Sequence, residues 1–97
     1  MHRLKKVVEY IWDETMGAEQ YAMCALNNKD EDRTLAEAYY NMANQEMSHA
    51  ETLISNAERI VSQHRGEEGV EHIWEWEHDK IMKFVSKAKY LIEMFRK

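Results

Sequence analysis

Ninety-seven residues allow one domain with a modest core, and a formal net charge of −5 disfavours nucleic acid as a bulk partner, because phosphate binding needs a basic face. No proline, three glycines, seven methionines and an apolar share of 44% describe a folded all-α chain rather than a disordered one. The single cysteine, Cys24, excludes an internal disulfide framework and any cysteine-cluster metal site within one chain; in its Ala-rich surroundings it reads as a small buried hydrophobe.

The first helix is expected over about 3–28. Val7, Ile11, Ala18, Tyr21 and Ala25 recur at three- and four-residue steps, and Glu14 falls in the gap of that stripe. Gly17 sits inside the pattern, at a cost in helix propensity, and marks a candidate close approach of helices. The segment "MHRLKKVVEYIWDE" starts basic, but acids interrupt it before a signal-peptide core can form. No apolar run in the sequence approaches the roughly 18 residues of a membrane span. The expectation is therefore no membrane partner and a cytoplasmic address, including host cytoplasm were the gene viral.

"NNKDED", residues 27–32, is a polar turn with Asp32 placed to cap a second helix over about 32–64. Its stripe runs Leu35, Tyr39, Met42, then Glu46 and His49, then Leu53 and Ile60. "HRGEEG", residues 64–69, holds two glycines, and Gly66 is the expected stop signal. The third helix is expected over about 70–96, with Trp74, Ile81, Val85, Ala88, Ile92 and Phe95 on its apolar face. No linker separates these three elements into further domains, and their stripes should pack as a bundle.

Glu14, Glu46 and His49 interrupt apolar stripes, and a buried carboxylate costs several kcal/mol unless it is paired or coordinated. With the first turn centred near residue 30, Glu14 and Glu46 lie equally far from it, so an antiparallel hairpin puts them at one level about 24 Å from the turn. Glu46 and His49, at i and i+3, aim at one place from adjacent turns. Oxygen and imidazole donors in that arrangement suit iron, with manganese or zinc as alternatives. The plainer reading is an ion-paired Glu46 beside a satisfied histidine. Equal depth of Glu14 favours the metal.

The segment "ANQEMSHAETL", with its A-x-x-E-x-x-H-A pattern, and "ETMGAEQY", with Tyr21 seven residues after Glu14, resemble the ferritin-like superfamily, most closely its short rubrerythrin-like and encapsulated-ferritin-like members. The resemblance covers about 13–54. It implies Glu14 as a terminal ligand, Glu46 as a bridging ligand and His49 as the capping imidazole of a di-iron carboxylate site. Full-length members have four core helices where this chain has three. In the encapsulated type two short chains pair, and a homodimer here would supply the complete set across a four-helix core. The helical ending "LIEMFRK" is unlike the cargo tail of encapsulated members, which speaks against encapsulation. Short helical proteins of this kind also occur among phage-encoded sequences.

A second Glu-x-x-His lies in "EHIWEWEHDKIM", where Glu75 and His78 are weaker metal candidates and Glu71 and Glu77 weaker still. Turn-to-residue spacing sets His78 about 10 Å out of level with His49 within one chain. His2, His64 and His72 read as surface or turn residues. Trp12, Trp74 and Trp76 read as anchors of helix or subunit contacts, and Tyr21, Tyr39 and Tyr40 as core residues with the hydroxyl reaching a partner, the alternative being tyrosines beside a metal that quench radicals. The function expected from the resemblance is ferroxidase activity, Fe(II) oxidised by O₂ or peroxide. The rival expectation is a non-catalytic helical adaptor or assembly protein, with a structural metal or a buried polar network.

Overall fold

Polar punctuation divides the chain into α1 (His2–Asn28), α2 (Arg33–Gln63) and α3 (Val70–Arg96). The computed structural model describes residues 2–67 and 69–97, so Glu68 of the second turn lies outside the described residues. Asp32 caps α2 as expected, its side chain accepting from the Leu35 N–H at 3.1 Å. α2 stops slightly earlier than expected. His64, not Gly66, holds the cap position and donates its N–H to the Val61 carbonyl. Gly66 and Gly69 supply the positive φ angles, 94° and 84°, that turn the chain into α3.

Contacts between the helices fix their directions. Tyr21 stacks on Tyr39, and Glu14 meets His49, so α1 and α2 are antiparallel. Glu19 pairs with Lys87 and Trp12 with Glu77, which runs α3 parallel to α1. The result is an up-down-up bundle, 53 × 18 × 14 Å, in which α3 packs more extensively on α1 than on α2. No described helix is long and apolar enough to cross a membrane.

The interior faces of α1 and α2 keep Ile11, Ala18, Ala25 and Ile60 of the expected stripes and differ from them elsewhere. Their buried residues are Leu4, Val8, Ile11, Thr15, Ala18, Ala22 and Ala25 on α1, and Ala36, Ala43, Met47, Ala50, Ile54, Ala57 and Ile60 on α2. Val7, Tyr21, Tyr39 and Leu53 are half-buried edges, whereas Leu35 and Met42 are exposed. The cause is the run of alanines. Small side chains let two helix backbones approach closely, and the larger residues are then displaced to either side of the contact line. On α3 the expected face is the buried one, from Trp74 through Phe95. Each of its fully buried aliphatic side chains contributes about 1.5–3 kcal/mol of burial free energy.

Aromatic residues tie α3 down at both ends. Trp12 stands edge-on to Phe84 and donates its Nε1–H to Glu77 Oε2 at 3.0 Å. Tyr40 stacks on Phe95, and its hydroxyl accepts from Arg96. Around α1, at about 100° per residue, Trp12 lies roughly 160° from Glu14. On α2, Glu51, which faces Lys89 of α3, is separated from His49 by the same angle. Glu14, Glu46 and His49 thus project on the side of the α1–α2 hairpin that α3 does not cover.

A candidate metal centre on the open face of the hairpin

Because the buried line at this level runs through Thr15, Ala18, Ala43, Met47 and Ala50, the glutamates and the histidine sit at its edge rather than in its centre. Glu14 reaches across from α1, and Glu46 and His49 come from successive turns of α2. One ligand atom from each lies within 4.8 Å of the other two. His49 Nδ1 is 3.4 Å from Glu14 Oε2. The expected level is correct, but the expected depth is not. The His49 side chain is 61% exposed and that of Glu14 27% exposed. The desolvation cost that a fully buried carboxylate would carry is correspondingly reduced.

The two carboxylates act on each other. Glu46 is held above the ordinary carboxylate range, chiefly by a side-chain hydrogen bond with Glu14, then by partial burial, then by the negative charge of Glu14; His49 opposes the shift. Two carboxylates this close make the site a concentration of negative charge at one level of the hairpin, which a cation would neutralise.

Gly17 completes the site's wall. A Cβ there would lie 2.9 Å from Glu46 Oε2. In the sequence it was legible only as a point of close approach; what approaches is the Glu46 side chain. Tyr21 and Tyr39 stack on the same open face with ring centroids 6.1 Å apart, two turns from Glu14 and Glu46 respectively. Neither has a hydroxyl partner among the described hydrogen bonds.

The weaker candidates stand elsewhere. Glu75 is exposed on α3 and approaches His72 at 4.0 Å, while the half-buried His78 rests its ring 5.2 Å from that of Trp74. Glu77 serves Trp12, and Glu71 approaches Arg65. Among the described residues, Glu14, Glu46 and His49 form the group of His, Cys, Asp and Glu side chains close enough to hold one ion; Glu75 and His78 do not join it within the chain. His64 pairs with Glu67 in the second turn, and His2 and His72 are exposed, in keeping with surface and turn positions. Trp12 and Trp74 anchor helix contacts, but Trp76 is 67% exposed under Lys80 and anchors nothing within the chain. Cys24 is a free, half-buried thiol.

Comparison with protein-family models, characterised proteins and solved structures gives no match. The site's own chemistry is what a functional reading has to rest on.

Proposed function

We propose that this chain is a ferritin-like carboxylate protein that binds iron through Glu14, Glu46 and His49 and oxidises Fe(II), with O₂ or peroxide taking up the electrons and its centre completed by a second copy. The observation that carries the reading is the convergence of those three side chains from two helices to within 4.8 Å. The donor set passes a simple fit test. With bonds of about 2.1 Å, donors on one ion stand about 3.0–3.4 Å apart when they are neighbours and about 4.2 Å only when opposite, so side-chain rotations that draw the group in by about 1–2 Å close the site. Oxygen and imidazole donors without thiolate suit iron and also admit manganese or zinc.

Two Glu and one His are half of the four Glu and two His of a binuclear carboxylate bundle, and doubling them reaches the full set. The open face offers a surface for that doubling. Tyr10 and Leu35 are exposed on it at 55% and 41%, on either side of the site, with Met42 beside Glu46. A twofold contact across this face would bury these residues and bring two half-sites together. Iron supplies the redox chemistry when bound. The chain's own groups do the rest: Glu14 and Glu46 present anionic oxygens that favour the ferric product, and His49, held toward Glu14, presents an imidazole nitrogen.

A second reading has support in the same geometry. The juxtaposed Glu14 and Glu46 carboxyl groups and the Glu14–His49 approach place polar groups beside one another, as a network setting helix register in an adaptor would. Aerobic addition of Fe(II), followed by ferric absorbance, separates the two. The ferroxidase reading expects absorbance that Glu46→Ala abolishes. Equal oxidation rates in the wild type and the variant, or none above buffer, leave the adaptor.

A further inference from the structure

Gly17 occupies an interior position of α1 where backbone geometry does not call for glycine. The glycines with positive φ are Gly66 and Gly69, so Gly17 keeps ordinary helical angles that any residue adopts. Glycine is among the poorest residues for a helix interior, and the neighbouring seam is built from alanine instead. The distinction lies in the space above Gly17. A Cβ there would stand 2.9 Å from Glu46 Oε2, 3.5 Å from Cδ and 3.6 Å from Cγ, so the Glu46 carboxylate packs directly over the α1 backbone, closer than a side chain at position 17 would comfortably allow. Gly17 is one turn beyond Glu14 on α1 and flanks the same face.

We propose that Gly17 is a positioning residue: its missing side chain is the cradle that seats the Glu46 carboxylate against α1, beside Glu14 and within reach of the same ion. The proposal rests on the metal reading above and adds to it the element that holds the carboxylate from α2 in place. With the cradle filled, the Glu46 carboxylate has to shift from its seat against α1, and the proposal expects that shift to loosen its placement beside Glu14.

The test is a double-mutant cycle of Gly17→Ala and Glu46→Ala, read by two signals. Mn(II) is the metal probe, with free ion counted by electron paramagnetic resonance, and thermal unfolding of the metal-free proteins is the second readout. Wild-type protein should bind Mn(II), and G17A should weaken binding by about tenfold or more, the usual scale for losing a residue that holds a ligand in place. In the metal-free E46A background, G17A should raise Tm by about 4–8 °C, the gain expected from better helix propensity. In the wild-type background the gain should be smaller, because Glu46 has to move. Because E46A removes the group that an added methyl would strike, the second signal is read on a background that accepts alanine at position 17. G17A that binds Mn(II) as tightly as wild type, or raises Tm equally in both backgrounds, overturns the positioning role while leaving the metal reading intact. Wild-type protein that binds no Mn(II) overturns the metal reading itself, and the positioning role with it.

Discussion

Glu14 and His49 are 35 residues apart in the chain, yet Oε2 of one lies 3.4 Å from Nδ1 of the other. The contact bridges α1 and α2 on the face that α3 leaves open, and its histidine is mostly in solvent. An exposed pair of this kind contributes little to folding, about 0–1 kcal/mol. His49→Ala should therefore change the stability of the metal-free protein by no more than about 0.5 kcal/mol. It should weaken Mn(II) binding clearly, since one of three donors is gone. Chemical denaturation and metal titration of the same variant check both halves of the statement.

The raised Glu46 carboxyl gives the metal-free protein a definite pH dependence. A group with a folded-state pKa above its unfolded value of 4.5 binds more protons when folded, so its contribution is present below that value and is lost as pH rises through the folded pKa. Stability attributable to Glu46 should thus fall on going from mildly acidic to neutral pH. Glu46→Gln keeps a donor for Glu14 and cannot ionise. It should raise metal-free stability at neutral pH by on the order of 0.5–1 kcal/mol and flatten this part of the profile. Urea melts across the pH range would show it. In metal-loaded protein the order reverses, because the wild-type carboxylate is a ligand and the amide a poor one.

Thr15 is 1% exposed, and its Oγ1 has no hydrogen-bond partner among the described residues. An unsatisfied buried hydroxyl costs about 1–3 kcal/mol, whereas a methyl in its place costs nothing in desolvation. Thr15→Val, nearly equal in shape, should stabilise the protein by about 1 kcal/mol. A crowding change in the same core should do the opposite. Ala43→Leu forces apart the close seam and should destabilise by about 1–3 kcal/mol. Thermal melts of the two variants should move in opposite directions.

The apolar residues of the open face give the proposed pairing its own test. Tyr10 and Leu35 lie on either side of the site and are exposed. Tyr10→Glu or Leu35→Glu would bury an unpaired charge in a contact between two copies but leave a monomer's core untouched. Light scattering should find wild type as a dimer and the variants shifted to monomer, with helical circular dichroism unchanged. If wild type is a monomer at every concentration examined, the two-copy centre is wrong.

Much of this architecture is legible in the sequence, and the misses share a cause. Turn chemistry at Asp32 and the glycines near residue 66 divide the chain where the helices break. On α3 the large residues Trp74, Ile81, Val85, Ile92 and Phe95 mark the buried face, because no competing small-residue stripe exists there. On α1 and α2 the large residues mislead. Val7 and Tyr21, or Leu35 and Met42, look like the centre of a stripe, whereas the helices meet on the alanines beside them. Shifting the contact line by one position carries Glu14, Glu46 and His49 from an expected interior to an exposed edge. Their common level survives that shift, since level depends only on distance from the turn. Depth does not survive it, since depth depends on which residues face the partner helix. Gly17 belongs with the second kind of information: that a carboxylate from another helix fills its missing side chain requires the packing itself.

The central claim is that three side chains on two helices hold a cation, and anaerobic Fe(II) titration of the untagged protein tests it most directly. Tight binding of about one ion per chain, with the protein sedimenting as a dimer and binding abolished by Glu46→Ala, is the predicted result. Fe(II) left free in solution, or bound equally well by the Glu46→Ala protein, would contradict it.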